Sequence, residues 1–186
     1  MKKALFVITF LIGFLSFGQE IVSENDTLLL WTKLRPLNWK DFNGVSKIPK
    51  NKYGVHTAAE TATGPVFIHR TDKNGNKVPY PLNYFYKTLS WSISNDSLLL
   101  VHEQLHFDIK ELYIRKMRIG FEAFTDKNIY ESYVYNDFSE KILEQCRQVQ
   151  KDYDKQVSFS KAKQQEWRKY IDEELDKLKK YEYIPE

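Results

Sequence analysis

The stretch "LLLVHEQLHFDIKELYIRK", residues 98–116, decides how this chain is read. It holds no glycine or proline, it follows Asp96, a good N-cap, and its apolar residues recur at helical spacing. The pattern predicts a helix from about Asp96 to about Ile119. At about 100° per residue, Leu98, Leu105, Ile109 and Leu112 share one stripe, the expected buried face. His102 and His106 lie roughly 40° apart at the margin of that stripe, and Glu103 lies about 60° beyond His106. Asp108 and Glu111 fall on the opposite side, where an unbroken helix keeps them from the histidines. They are expected to anchor the helix, through Arg115 or Arg118.

The order of His102, Glu103 and His106 is H-E-x-x-H. Two imidazoles one turn apart can share a metal ion, and the carboxylate beside them reaches a metal-bound water rather than the metal. Zinc lowers the pKa of such a water to about 7, so a nucleophile exists at neutral pH. Glu103 is the expected general base that takes the water's proton and hands it to the departing amine. The competing reading is a pair of satisfied core histidines, which offers no chemistry.

Working outward, the two halves of the chain differ in composition. From Thr27 to Ile93 it reads as strands and turns. "TLLLW" is a short apolar run, and "YGVHTAAETATGPVFIHR" (53–70) is rich in β-branched residues with an expected break at Gly64-Pro65. "DKNGN" (72–76) is a turn signal, and "NYFYKTLSWSI" (83–93) is a further strand candidate. From Asp96 onward the helix breakers are Gly120 and Pro185 alone. Two more helices are expected, from about Tyr130 to Asp152 and from about Ser160 to Tyr181. Antiparallel strands followed by a helical half make an α+β fold.

The start of the chain, "MKKALFVITFLIGFLSFGQE", has the build of a secretory signal peptide. Lys2 and Lys3 precede an apolar run from Ala4 to Phe17, and Ser16 and Gly18 supply small residues before a cut at Gln19. Residues 1–18 are therefore expected to be removed, leaving one domain over 19–186, secreted or periplasmic. The run is shorter than the ~20 residues a spanning helix needs, and no second such run follows. The formal charge of +3 falls to about +1 without Lys2 and Lys3, which implies no pull toward nucleic acid. A single cysteine, Cys146, rules out an internal disulfide.

The residues "HEQLHFDIKE" (102–111) resemble the HEQxHFDIxE signature of a bacterial family of secreted proteins, domain of unknown function 922, described as predicted zinc-dependent proteases. "LNWKDFNG" (37–44) resembles the Trp-x-x-Phe segment near that family's start, and "SWS" (90–92) the Ser-Trp before its histidine helix. "YDKQVSFSKAKQQEW" (153–167) resembles its Tyr-Asp segment, with Trp167 in place. The likeness spans about residues 28 to 175. It implies a zincin-like α+β domain holding Zn2+ through His102 and His106, and a peptide or protein substrate.

The resemblance has one departure. In the family the Tyr-Asp segment continues with Thr-x-His, which implies that histidine as third ligand; this chain has Val157 and Phe159 there. The third ligand is left between Asp126, Glu131, His56 and none. An astacin-like continuation is excluded by Ile109 and Leu112, where it needs glycine and histidine. Two functions follow. One is a zinc hydrolase, most simply a metallopeptidase; the other is a non-catalytic envelope binding protein that keeps the fold with a degenerate site.

Overall fold

Asp72 shapes the turn that organises the strand half. Its Oδ1 accepts the backbone N–H groups of Asn74 (2.9 Å) and Asn76 (2.8 Å), and Gly75 takes φ +85°, which a glycine adopts without a Cβ clash. This turn joins two long antiparallel strands in a computed structural model that describes residues 21–46, 58–157 and 160–185. The strands are β1 (Leu28–Leu30), β2 (Ala59–Glu60), β3 (Thr63–Thr71), β4 (Lys77–Tyr86) and β5 (Trp91–Ser92). The helices are α1 (Ser97–Asp126), α2 (Ser132–Val157) and α3 (Lys161–Lys177). The architecture is α+β. One sheet has the order β1-β4-β3 and is antiparallel throughout; β2 and β5 form a second, two-stranded ladder.

The sheet alternates as a two-faced sheet must. Leu29, Phe67 and Phe85 point into the main core with Leu105, Ile109, Leu112 and Met117 of α1. Leu30, Val66, Ile68, Leu82 and Tyr84 point the other way, into a small cluster closed by Tyr183. Glu111, buried on α1, accepts from Arg115 Nε (3.1 Å) and Arg118 Nη1 (2.9 Å). Those arginines hold the C-terminal segment by its carbonyls, Arg115 at Leu175 and Arg118 at Tyr181. Asp108 accepts from Trp31 Nε1 (2.8 Å), Gln104 Nε2 (2.9 Å) and Arg168. Both acids anchor α1, as their place on the helix implied. Among the described residues no helix is long and apolar enough to cross a membrane.

Several expectations need correction. The strand does not break at Gly64-Pro65: β3 runs straight through. It pairs with β4 alone in the sheet, so a proline without an N–H is tolerated on its open edge. Likewise β4 starts at Lys77 and includes Pro79 and Pro81. Both share the parity of Asn83, whose carbonyl accepts from Trp31 N (2.9 Å) on the side away from β3. β1 reaches only Tyr84 to Tyr86, so the prolines lie beyond its pairing, and Arg118 Nε takes the Pro81 carbonyl at 2.9 Å.

Leu98 is 47% exposed rather than buried; on that stripe the core begins at Leu105. The first helix also continues past Ile119 to Asp126. Gly120 does not end it: a Cβ there would sit 2.1 Å from the Phe138 ring, so the glycine is where α2 crosses α1 closely. α1 ends at Asp126 with Lys127 as its C-cap, and Asn128 reverses the chain with φ +56°.

Candidate metal centre

α1 and α2 form an antiparallel hairpin that turns at Asn128. Its register is legible in its contacts: Phe121 packs edge-on to Tyr135 (4.7 Å between centroids), and His106 meets Gln150. Each pair lies equally far from Asn128 along the two arms. The same count brings Asp154 opposite His102.

Three donor atoms converge there. His106 Nε2 lies 2.9 Å from Asp154 Oδ1, His102 Nε2 lies 3.2 Å from the same oxygen, and the two Nε2 atoms are 3.0 Å apart. Among the described residues this is the one group of His, Cys, Asp or Glu whose ligand atoms are close enough to hold a metal ion. Zinc–ligand bonds of about 2.0–2.1 Å in a tetrahedral site place ligand atoms roughly 3.3 Å apart, close to this triangle. A single cation among the three atoms satisfies all of them at once. The residues therefore fit a zinc ion. The imidazoles are partly buried while the Asp154 side chain is 55% exposed, so the cluster faces solvent on the α2 side. That suits a catalytic site, which keeps a coordination position open.

The surroundings hold each ring in place. His106 Nδ1 and Gln150 Oε1 make a close contact, while Gln150 Nε2 donates to the His106 carbonyl (2.9 Å). His102 stacks on Tyr153 at 4.7 Å between centroids, and Tyr153 packs in turn on Trp167 at 5.5 Å. Burial opposes the charged form of His106, yet the Asp154 carboxylate and the charge of Glu103 hold its pKa above the usual imidazole value. Burial also opposes ionisation of Asp154. The His102 and His106 imidazoles lying against it outweigh burial and hold that carboxyl well below the usual range.

Glu103 stands apart from the triad. It is buried, and its Oε2 accepts from Thr61 Oγ1 at 2.7 Å, just beyond the end of β2. Next to Thr61, Glu60 accepts from Trp91 Nε1 at 2.8 Å, which ties β2 to β5 beneath the start of α1. The Trp-x-x-Phe segment is structural here: Asn38 caps a short 3-10 turn over Trp39–Asp41, and Phe42 packs on Phe85 at 5.1 Å.

The sequence-derived third ligands do not assemble with the histidines. Asp126 is on α1 itself, twenty residues past His106 and so about 30 Å along the helix, where it pairs with Lys73 (3.1 Å). Glu131 lies before α2, at the same far end, and its Oε2 accepts from the Tyr130 backbone N–H. His56 and Phe159 lie outside the described residues. The candidate ligand that sequence reading missed, Asp154, stands in the Tyr-Asp segment itself. Gln150, one turn before it, was missed as well. Compared with protein-family models, curated proteins and solved structures, the chain matches none.

Proposed function

We propose that this protein is an exported zinc-dependent hydrolase, most simply a metallopeptidase of zincin-like build, with His102, His106 and Asp154 as metal ligands and Glu103 as general base. The observation that carries the reading is the triangle of two Nε2 atoms and one Oδ1, with all sides between 2.9 and 3.2 Å. A site of two imidazoles and one carboxylate is a recognised catalytic zinc set. When bound, zinc supplies a Lewis acid that polarises a carbonyl and acidifies a water.

The chain's own residues do the rest. His102 and His106 stay neutral at Nε2 to bind the ion. Asp154 offsets part of its charge. Thr61 donates to Oε2 of Glu103 and holds that carboxylate in place. Glu103 then accepts a proton from the attacking water at Oε1 and passes it to the leaving amine nitrogen. A peptide or protein is the substrate class that this chemistry fits. The resemblance of residues 102–111 to the family of predicted zinc-dependent proteases supports the same reading, as does the H-E-x-x-H order itself.

The non-catalytic alternative drew its support from Phe159 standing where a third ligand was expected. Asp154 favours the hydrolase over that alternative, since its carboxylate on α2 offers a third donor. Export rests on Lys2, Lys3 and the apolar run to Phe17; mass spectrometry of protein from its host should find a chain beginning near Gln19.

The test is metal analysis of the purified mature chain, followed by turnover of a mixed peptide library. One equivalent of zinc is expected in the wild type and in Glu103→Gln, and turnover only in the wild type. The amide keeps the shape of Glu103 but cannot take a proton. Iron in place of zinc would redirect the reading to a non-haem iron oxygenase, which uses the same ligand types.

A further inference from the structure

Gln150 makes two hydrogen bonds to one residue. Its Nε2 donates to the His106 carbonyl at 2.9 Å, and its Oε1 accepts from His106 Nδ1. The orientation of the amide is fixed by chemistry. A backbone carbonyl can only accept, so the NH2 end of Gln150 must face it, and the oxygen end must face the ring. An amide oxygen can only accept in its turn, so Nδ1 must carry the proton. In a neutral imidazole the other nitrogen, Nε2, is then a lone pair. That nitrogen is the one lying 2.9 Å from Asp154 Oδ1 and 3.0 Å from His102 Nε2.

We infer that Gln150 is a positioning residue of the metal centre, which locks His106 as its Nδ1–H tautomer and aims the Nε2 lone pair at the ion. The inference rests on the metal reading proposed above and deepens it. Gln150 and Asp154 are one turn apart on α2, so a single helix face carries both a ligand and the group that orients another ligand. Both are matched in register to His106 and His102 on α1, also one turn apart. The site is therefore built by docking α2 on α1: neither helix alone holds a complete ligand set. With the proton kept on Nδ1, the approach of Nε2 to a carboxylate oxygen sets a lone pair against a negative charge. A cation between them turns that repulsion into two bonds.

Two substitutions in the full mature chain separate this role from simple packing. Gln150→Met keeps the length of the side chain and removes both hydrogen bonds. Gln150→Glu keeps an acceptor for Nδ1–H and gives up the donor. Zinc affinity is read by competition with a chromophoric chelator, the His106 tautomer by long-range 1H–15N NMR of the metal-free protein, and folding by circular dichroism. Gln150→Met should weaken zinc binding about 10- to 100-fold, the usual span for losing an outer partner of a metal-bound histidine, and should release His106 into a mixture of tautomers. Gln150→Glu should bind zinc at least as tightly as the wild type. Wild-type affinity in a folded Gln150→Met protein would overturn the inference, as would a wild-type proton on Nε2 of His106. Equal weakness in both variants would overturn it too, by showing that only packing matters. A wild type that takes up no zinc, with His106 still the Nδ1–H tautomer, would instead refute the metal reading on which the inference rests.

Discussion

Phe138 of α2 lies across Gly120 of α1 so closely that a Cβ on the glycine would fall 2.1 Å from Cε1 of the ring and 2.3 Å from Cζ. This crossing sets how near the two helices approach, and with it how His106 and His102 meet Gln150 and Asp154. Gly120→Ala forces the ring aside. Overpacking of this kind costs about 1–3 kcal/mol, and the better helix propensity of alanine returns roughly 1 kcal/mol. A net loss of up to about 2 kcal/mol is expected in chemical denaturation. A variant as stable as the wild type would show that Phe138 has room to turn away.

With Asp154 as the proposed third ligand, Asp154→Ala should lower zinc affinity on the order of 100-fold or more, beyond what an outer-shell change does. Asp126→Ala and Glu131→Ala, at the other end of the helical hairpin, should leave affinity unchanged. Isothermal titration with zinc reads all three. The assignment fails if either distant carboxylate matters and Asp154 does not.

Zinc should also stabilise the fold, because its ligands come from two helices and are not pre-assembled in the unfolded chain. With free zinc at about 100 times its Kd, the folded state gains about 2.7 kcal/mol. The thermal midpoint should rise with added zinc and return on chelation. His106→Ala should abolish the rise.

Glu24 contributes a stability that depends on pH. Hydrogen bonds from Arg35 and Lys87 hold its carboxyl down to about 2, against an ordinary value of 4.5. A carboxyl depressed by folding stabilises above its unfolded pKa and loses that contribution as pH falls through the folded one. Glu24→Gln should therefore be less stable than the wild type at neutral pH. The difference should shrink between about pH 4.5 and pH 2. Urea melts across that range check it; a gap independent of pH would exclude an ionic origin.

Glu111 neutralises two buried arginines, Arg115 and Arg118, that hold the C-terminal segment. Removing one member of a buried ion cluster leaves uncompensated charge and costs about 3–5 kcal/mol. Glu111→Ala should reach that range in denaturation while the cluster of His102, His106 and Asp154, on the other side of α1, keeps its geometry. A loss below about 1 kcal/mol would mean that water reaches the arginines.

What was legible in the sequence was local. The i, i+4 spacing of His102 and His106 places two imidazoles together on any helix, whatever surrounds it, and the anchoring roles of Asp108 and Glu111 follow from the same angular count. The division into strands and helices was equally local, since glycine and proline crowd the first half and nearly vanish from the second. Asp154 and Gln150 were not legible, because their meeting with the histidines depends on the register of a helical hairpin. That register hinges on where α1 ends. Gly120 reads as a stop signal, but the Phe138 ring occupies the space that its missing Cβ leaves, and packing by Phe121 and Phe124 carries the helix on to Asp126. With the turn moved from near Phe124 to Asn128, the residues facing His102 and His106 shift by two turns of α2. Helix propensity is summed over a few neighbours, whereas the end of α1 was decided by side chains brought together from opposite arms of the hairpin, and only tertiary packing does that.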